Sequence, residues 1–280
     1  MPTLSIITPV YNSADYLAEL LGSVARLRTP RQHLVLDAAS TDGTVELLGS
    51  RSDPGLEWVS EPDRGQTHAV NKGLQRATGD YVNWVNGDNA YHSEAVDRAV
   101  AMLEADPSLM IVFGGIDIVD EHGATRRRYI PARYNWHRYL YVGDYVPTET
   151  IIFRRSLLAQ VGLLDERFRD AADYDFYLRL FHGQRVERVA EPLLRYRYHP
   201  DSKTGRDPWL AQAEHRQIRA QWARGPRDRA IMTGIDRLKR TILPRISPWP
   251  RPYPEEPDSS TRAAQDSTAA GSGRGPQNQR

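Results

Sequence analysis

The sequence predicts an α/β protein with a mostly parallel sheet, helices on both faces and a helical extension at its C-terminal end. Strand and helix patterns alternate over the first ~120 residues, which is typical of parallel strands joined by helical crossovers. Polar residues stand directly after several strand patterns, where open α/β sheets bind ligands. The 280 residues are enough for one large domain with appendages.

Short apolar runs mark five strands in the first half of the chain. They cover residues 4–10, 34–36, 56–59, 81–85 and 110–119. Four helices are predicted between them, each beginning at a polar or glycine-bearing turn. The first helix follows Asn12 or Ser13, either of which can cap it, and the second follows the turn at 41–43. The third follows the loop at 61–66 and ends at Gly79, and the fourth follows His92. Asp42 is assigned to capping the second helix.

Beyond the fifth strand the pattern becomes irregular and aromatic, with a further helix over residues 176–181. We expect most of these rings to pack between helices and sheet, and some to be available for stacking on a sugar. Residues 1–205 are predicted to form the main domain and 206–250 a basic helical extension. Residues 251–280 are predicted to be a disordered tail, because they are rich in small and polar residues.

The basic extension carries ten Lys or Arg residues against two acids between residues 216 and 251. It can pack as ordinary helices on the main domain, dock on anionic lipid, or bind nucleic acid. Packing is the default, and peripheral membrane contact through 216–251 is the alternative hypothesis. Nucleic acid is discounted as a partner, since no platform of basic and aromatic residues accompanies the charge.

The composition favours a cytoplasmic protein. The chain has no cysteine, which excludes disulfides and thiolate metal sites, and its net charge is only +1. Its first residues lack the pattern of a signal peptide, and no apolar run approaches the ~20 residues that span a bilayer. We expect a cytoplasmic location, either free in the cytoplasm or in peripheral contact with the inner face of the membrane.

Polar motifs follow three of the predicted strands. Residues 8–12, Thr-Pro-Val-Tyr-Asn, end the first strand, and Asp37 opens the run Asp-Ala-Ala-Ser-Thr-Asp-Gly-Thr after the second. Residues 86–89, Asn-Gly-Asp-Asn, follow the fourth strand, after a helix pattern that contains Asn71 and Lys72. An ionised carboxylate such as Asp37 only accepts hydrogen bonds, so it suits a donor group on a ligand.

This order of motifs resembles family 2 glycosyltransferases, the inverting enzymes of the Rossmann-like GT-A fold, over residues 3–205. The resemblance implies that the loop with Thr8, Pro9 and Tyr11 holds the uracil of a nucleotide donor. It also implies that Asp37 accepts a hydrogen bond from the ring N–H of the base. Further nucleotide contacts are expected from Asn71, Lys72 and Gly87.

The turn at residues 86–89 occupies the place of the family's Asp-x-Asp motif and predicts a divalent metal site. Asp88 matches the metal-binding Asp, and His199 is a candidate to complete the shell or contact a phosphate. Mg²⁺ or Mn²⁺ suits such a site, because these ions take hard oxygen ligands from carboxylates, phosphates and water. Asn89 stands where a second acid is common, so a lower metal affinity is expected.

A later acidic segment predicts the catalytic base. Asp173 precedes an apolar helix pattern, and the resemblance assigns it the proton of the acceptor hydroxyl. Asp170 or Asp175 is expected to cap that helix, and Ala172 replaces the family's usual Glu. Candidate acceptor contacts in the segment between the two acidic motifs are Thr148 and Glu149.

The expected activity is transfer, with inversion, of a sugar from a nucleotide-diphosphate donor to a hydroxyl acceptor. A UDP-sugar is favoured, and the acceptor is a glycan, a lipid-linked molecule or a small molecule in glycan, polysaccharide or glycosylated-metabolite synthesis. A dinucleotide-dependent oxidoreductase is a rival interpretation, but it would need a Gly-x-Gly-x-x-Gly motif after the first strand, and residues 8–13 contain no glycine. A non-catalytic module that binds a nucleotide-sugar stays open, since Asn89 and Ala172 depart from the family pattern.

Overall fold

The computed structural model describes residues 3–143, 145–198 and 210–241, and within them nine strands form one sheet. In chain order the strands are β1 (Leu4–Val10), β2 (Arg31–Asp37), β3 (Leu56–Ser60), β4 (Tyr81–Trp84), β5 (Ala90–Tyr91), β6 (Ile111–Val119), β7 (Thr125–Tyr129), β8 (Ile152–Arg154) and β9 (Val186–Arg197). The α-helices are α1 (Ala14–Ala25), α2 (Thr44–Gly49), α3 (Gln66–Arg76), α4 (Ser93–Ala105), α5 (Trp136–Val142), α6 (Leu158–Val161), α7 (Ala172–Phe181), α8 (Leu210–Trp222) and α9 (Pro226–Thr241). Short 3₁₀ helices cover Thr148–Thr150 and Arg155–Leu157.

The sheet is parallel on one side and mixed on the other. Its strand order is β3-β2-β1-β4-β8-β6-β9-β5, and β7 pairs with β6. The pairs among β3, β2, β1 and β4 are parallel, and so is the pair of β6 with β9. The strands β5, β7 and β8 pair antiparallel with their neighbours. The predicted α/β sheet is confirmed and is mixed, with the parallel pairs concentrated among β1 to β4, while β5, β7, β8 and β9 were not predicted from the sequence.

Two apolar cores lie on opposite faces of the sheet, because alternate residues of a strand point to opposite sides. In β1, Ile7 belongs to one core and Ile6 to the other. Residues of α3, α5 and α7 cover the first face, and residues of α1 and α4 cover the second. The predicted helices on both faces are therefore confirmed.

The start of α1 is stabilised by a carboxylate from another segment. The side chains of Asn12 and Ser13 do not cap it, so that prediction is wrong. Asp42 Oδ2 instead accepts a hydrogen bond from the N–H of Ala14 at 3.0 Å. Asp42 Oδ1 accepts from the N–H of Thr44 at 3.1 Å, so it bonds the first residue of the next helix although the N-cap position falls on Gly43. One carboxylate thus serves the starts of α1 and α2.

The start of α7 also differs from the prediction. The helix begins at Ala172, four residues before the predicted start, and its N-cap residue Ala171 offers no side-chain cap. Asp175 forms an ion pair with Arg179 at 2.8 Å along the same helix, so it is not the cap that the sequence suggested. Asp170 is not the cap either, because the cap position falls on the residue after it.

The helices α8 and α9 pack against the main domain as a C-terminal hairpin. Ile218 is fully buried and Met232 nearly so, and both belong to the core that contains α5 and α7. Arg219 is also buried and forms an ion pair with Asp236 at 2.7 Å. This is the packing expected by default for the basic extension. The described helices include none with the length and apolar character needed to cross a bilayer, and the predicted tail at 251–280 lies outside the described residues.

Candidate active site

The predicted functional segments meet at one edge of the sheet. β1 ends at Val10, which lies opposite Asp37 at the end of β2. β4, on the other side of β1, ends at Trp84 and leads into the turn at residues 86–89. Because neighbouring parallel strands finish at the same edge, the loop after β1, Asp37 and this turn share the ligand-binding edge of an α/β sheet.

Asp37 is almost completely buried, and two serines fix its carboxylate. Oδ2 accepts from the hydroxyl of Ser60 at 2.5 Å and from the N–H of Ser40 at 3.0 Å. The hydroxyl of Ser40 donates to Oδ1. A carboxylate has about four lone-pair positions, so one acceptor position is left for a ligand. This geometry is compatible with the predicted contact to a base N–H, which stays a prediction.

The loop after β1 exposes Tyr11 and buries Thr8 and Pro9. The Tyr11 ring is 65% exposed, whereas Thr8 is fully buried and its Oγ1 lies 3.0 Å from His33 Nε2. Pro9 is buried within the strand. The side chains of Thr8 and Pro9 set the position of the loop from inside the sheet, and the nucleotide contact predicted for this loop stays a prediction. Burial lowers the pKa of His33 to about 3, so this ring is neutral.

Glu149 lies beneath the turn at residues 86–89 and holds it by three hydrogen bonds. Its carboxylate accepts from Asn86 N at 3.0 Å, Asn86 Nδ2 at 2.8 Å and Asn89 Nδ2 at 2.6 Å. The amide oxygen of Asn86 accepts in turn from Gln66 Nε2 at 2.6 Å. Glu149 is buried with both oxygens engaged and supports the turn, while the acceptor contact predicted for it stays a prediction.

Asn89 joins the turn to β9. Its Oδ1 accepts from the N–H of Arg197 at 2.7 Å, while its Nδ2 donates to Glu149. The guanidinium of Arg197 donates to the carbonyl of Asp88 at 3.1 Å and pairs with Glu19 of α1. The amide of Asn89 is thus used at both ends. Asn89 departs from the family pattern, and as an amide it supplies a hydrogen-bond donor to the carboxyl group of Glu149.

Gly87 lets the turn pack closely against the end of β1. A Cβ at this position would lie 2.6 Å from Val10 Cγ1, closer than real Cβ atoms approach. The predicted nucleotide contact from Gly87 stays a prediction, and the structure adds a steric reason for the glycine.

Three carboxyl groups at this edge interact electrostatically. Burial, the negative charge of Asp88 and, more weakly, that of Asp173 together raise the pKa of Glu149 to about 8, against the lowering effect of hydrogen bonds from Asn86 and Asn89. Asp173 is half-buried in the first turn of α7. Trp84 at the end of β4 stacks on Tyr177 of α7 with ring centroids 6.2 Å apart, which ties the two elements together. The predicted metal residue and the predicted base therefore both act electrostatically on one buried carboxyl group.

Thr148 precedes Glu149 in the short 3₁₀ helix and is partly exposed. Its carbonyl oxygen accepts a hydrogen bond from the hydroxyl of Tyr177 at 3.2 Å, and the hydroxyl of Thr148 takes no part in that bond. The acceptor contact predicted for Thr148 stays a prediction.

Asn71 and Lys72 are both engaged by protein groups. Asn71 is buried, its Oδ1 accepts from Leu164 N at 2.9 Å, and its Nδ2 donates to Leu164 O at 3.0 Å. Its amide thus holds a loop onto α3, and the nucleotide contact predicted for Asn71 stays a prediction. Lys72 pairs with the half-exposed Glu61 at 2.9 Å. Exposed pairs of this kind are weak, so a nucleotide contact from Lys72 stays a prediction.

The residues present fit a divalent ion that is held mainly by its substrate. No group of three or more His, Asp or Glu residues in the described part of the chain is arranged to hold a metal ion by itself. Mg²⁺ and Mn²⁺ do not require one, since phosphates and water can complete a shell begun by one or two carboxylates. Asp88 offers such a carboxylate, and a cation there would offset the repulsion among the three acids. His199, the other predicted ligand, lies outside the described residues.

Three supporting residues were not predicted from the sequence. Gln66 reaches Asn86 across 20 positions in the chain, and Arg197 reaches Asp88 across 109. Glu214 of α8 accepts hydrogen bonds from the segment just before α7. No local pattern in the sequence connects such distant partners.

Known proteins share both the sequence pattern and the fold. A model of glycosyl transferase family 2 matches residues 5–162. An uncharacterised glycosyltransferase of Mycobacterium tuberculosis is 33% identical over 183 residues, which cover 64% of this chain and 68% of that protein. An uncharacterised glycosyltransferase of Rickettsia prowazekii is 24% identical over 211 residues, covering 72% of this chain and 66% of that protein.

Two solved structures resemble the fold. TarS from S. aureus, in complex with UDP-GlcNAc, superimposes with a TM-score of 0.65 at 21% identity, covering 83% of this chain and 70% of that one. A mannosyltransferase from Pyrobaculum calidifontis, in complex with GDP-Man and Mn²⁺, gives a TM-score of 0.60 at 22% identity, covering 98% and 77%. The fold is that of the GT-A glycosyltransferases. Together with the match over residues 5–162, this establishes that the chain belongs to glycosyl transferase family 2.

Proposed function

We propose that the chain is an inverting glycosyltransferase that moves a sugar from a nucleotide-diphosphate donor to a hydroxyl acceptor. The observation that carries the proposal is that α7, whose first turn contains Asp173, packs against the end of β4, which leads to Asp88: Trp84 stacks on Tyr177, and both acids act electrostatically on the buried Glu149. One acid follows the central strand β4 and the other begins α7. A group for the leaving diphosphate and a group for the attacking hydroxyl must stand on two sides of one reacting carbon, and this pair supplies both.

The nucleotide half of the site is proposed to lie at the ends of β1 and β2. The exposed ring of Tyr11 offers a face on which a base can stack, and Asp37 keeps one acceptor position for a ring N–H. A uracil has such an N–H, and for this reason a UDP-sugar is the favoured donor. Guanine also carries a ring N–H, so GDP-sugars belong in the same test.

Asp88 is the proposed protein ligand of Mg²⁺ or Mn²⁺. When bound, the ion would neutralise charge on the departing diphosphate. In the protein, Arg197 holds the backbone of Asp88, and Glu149 holds the neighbouring Asn86 and Asn89. The mannosyltransferase that shares this fold was solved in complex with Mn²⁺, which supports the choice of ion.

Asp173 is the proposed catalytic base. Its carboxylate takes the proton of the acceptor hydroxyl while the acceptor oxygen forms a bond to the anomeric carbon. The bond from that carbon to the diphosphate oxygen breaks, and its electron pair leaves with the nucleotide diphosphate. Attack from the face opposite the leaving group inverts the anomeric configuration.

Donor turnover tests the proposal. The purified chain is offered UDP-, GDP- and dTDP-sugars with Mn²⁺ or with EDTA, and released nucleotide diphosphate is measured. We expect slow hydrolysis of one donor that needs the metal and falls at least about 100-fold in Asp173→Asn. Asp80→Asn, an exposed acid at the opposite end of β4, is the matched control and should retain the wild-type rate.

Nucleotide binding without release from any donor would contradict the proposal and favour the non-catalytic binding module. The acceptor class, a cytoplasmic location and lipid docking of the basic extension remain proposals from the sequence.

A further inference from the structure

We propose that the C-terminal hairpin α8–α9 is part of the catalytic apparatus, and that Glu214 is a positioning residue for Asp173. The inference rests on the proposed function, in which Asp173 is the base. It assigns a role in turnover to a segment that lies beyond residues 5–162, the part of the chain that the family match covers.

Glu214 of α8 accepts hydrogen bonds from three consecutive backbone N–H groups. Its Oε1 lies 2.9 Å from the nitrogen of Arg169, and its Oε2 lies 2.8 Å from the nitrogens of Asp170 and Ala171. Hydrogen bonds from N–H groups to an ionised carboxylate are about twice as strong as neutral ones. The backbone leading into Asp173, two residues further on, is therefore fixed from outside its own helix.

The N-cap residue of α7, Ala171, forms no side-chain cap. Within the first turn, Asp173 Oδ1 accepts from the N–H of Tyr174 at 2.8 Å, and Asp175 pairs with Arg179. The acceptor for the N–H groups of residues 169–171 comes from α8.

The helix α8 contacts the residue after the base as well as the segment before it. The ring of His215 lies 4.5 Å from the ring of Tyr174, centroid to centroid. The Tyr174 hydroxyl donates to the carbonyl of Leu140 at 2.9 Å, which ties the same helix start to α5. The backbone on both sides of Asp173 is thus held by contacts with α8 and α5.

The hairpin has its own anchors, so it can act as a fixed support. Arg219 Nη1 donates to the carbonyl of Tyr141 at 3.2 Å, and its Nη2 pairs with Asp236 of α9 at 2.7 Å. Trp222 packs edge-on against Trp136 of α5 with centroids 5.0 Å apart. These contacts do not depend on Glu214, so a variant there is expected to release α7 while the hairpin stays docked.

The effect should be confined to the acceptor side of the site. The carboxylate of Asp37 is held by Ser40 and Ser60, and the turn with Asp88 is held by Glu149 and Arg197. These described contacts to the nucleotide and metal groups come from elements other than α8 and α9. Loss of Glu214 is therefore expected to lower kcat and to leave nucleotide affinity unchanged.

The test compares Glu214→Ala and Glu214→Gln with Gln217→Ala, an exposed position on the same helix. Donor hydrolysis, UDP affinity with Mn²⁺ and thermal unfolding are measured for each. We expect kcat to fall about tenfold or more in Glu214→Ala, less in Glu214→Gln, and not in Gln217→Ala, with UDP affinity unchanged throughout. In the Asp173→Asn background, Glu214→Ala should add no further loss, because it acts through Asp173.

Hydrogen exchange gives a readout that does not depend on turnover. The amides of residues 169–171 are expected to exchange at least about tenfold faster in Glu214→Ala, since their acceptor is removed. Unchanged exchange would overturn the inference, and so would faster exchange with wild-type kcat. Wild-type turnover by Asp173→Asn would instead refute the proposed function itself, so the two failures can be told apart.

Discussion

Asn89 donates to Glu149 through Nδ2 and accepts from the N–H of Arg197 through Oδ1. The sequence alone suggested that this Asn weakens the metal site, because an acid is more common there. The structure gives it another meaning. Burial and the charges of Asp88 and Asp173 already raise the pKa of Glu149 to about 8, so an acid at position 89 could ionise beside it only at a further cost in this buried site.

Replacing Asn89 with the acid that is more common at this position should therefore destabilise the protein. We expect Asn89→Asp to lower the free energy of unfolding by about 2 kcal/mol, because a donor is lost and a second carboxyl group faces Glu149. Urea unfolding at neutral pH measures this. An Asn89→Asp variant that is as stable as the wild type and binds Mn²⁺ more tightly would contradict the assignment.

A compensating change serves as the control for that result. In Asn89→Asp with Glu149→Gln, the new amide can donate to the new carboxylate, so part of the lost stability should return. The coupling energy from the double-mutant cycle is expected to be about 1 kcal/mol in the favourable direction. Additive losses would mean that these two side chains do not interact.

At the scale of elements, the site depends on how closely the turn after β4 packs on the end of β1. Gly87 provides that packing, since a Cβ there would lie 2.6 Å from Val10 Cγ1. The turn is also held from below by Glu149 and from the side by Arg197. It cannot move away from β1 without loosening one of these contacts.

Gly87→Ala should displace the turn and lower donor turnover by about tenfold, as expected when a catalytic group shifts by a fraction of an ångström to an ångström. The variant Gly87→Ala with Val10→Ala removes the methyl group that is struck, so turnover should partly recover despite the loss of a buried side chain. Donor hydrolysis and thermal unfolding separate the two effects. Wild-type turnover in Gly87→Ala alone would show that the packing is not needed.

At the scale of the whole molecule, a neutral histidine lies inside the sheet. His33 of β2 is fully buried against Thr8 of β1, and burial lowers its pKa from 6.5 to about 3. In the unfolded chain the ring binds a proton near pH 6.5, whereas in the folded chain it does not until the pH approaches 3. The unfolded state therefore binds more protons across this window, and folding stability falls as the pH drops.

The free energy of unfolding should decrease by about 1.4 kcal/mol for each pH unit below 6.5 through this residue alone. Urea unfolding between about pH 7.5 and 4.5 measures the slope, and His33→Gln should reduce it. His122, whose side chain is 84% exposed, provides the control variant His122→Gln with an unchanged slope. Equal slopes in the wild type and His33→Gln would contradict the burial argument.

The sequence predicted the parts of the fold that depend on local patterns. Apolar runs followed by Asp37 and Asp88 located two strand ends correctly, because both the run and the polar residue lie close together in the chain. β8 is only three residues long, and β9 pairs with β6 through register shifts, so neither gives a clear alternating pattern. The supports of the site were missed for a similar reason, since contacts such as Glu149 with Asn86 span 63 positions.

The most direct test of the central claim is the metal dependence of UDP binding, measured by calorimetry for the wild type, Asp88→Ala and Asp80→Ala. The claim is that the turn at residues 86–89, which Glu149 and Arg197 hold in place, presents Asp88 to a metal-bound diphosphate. We expect Mn²⁺ to raise UDP affinity about tenfold or more in the wild type and in Asp80→Ala. Asp88→Ala should lose this increase and keep the metal-free affinity that Asp37 and Tyr11 provide. An undiminished effect of Mn²⁺ in Asp88→Ala would contradict the account.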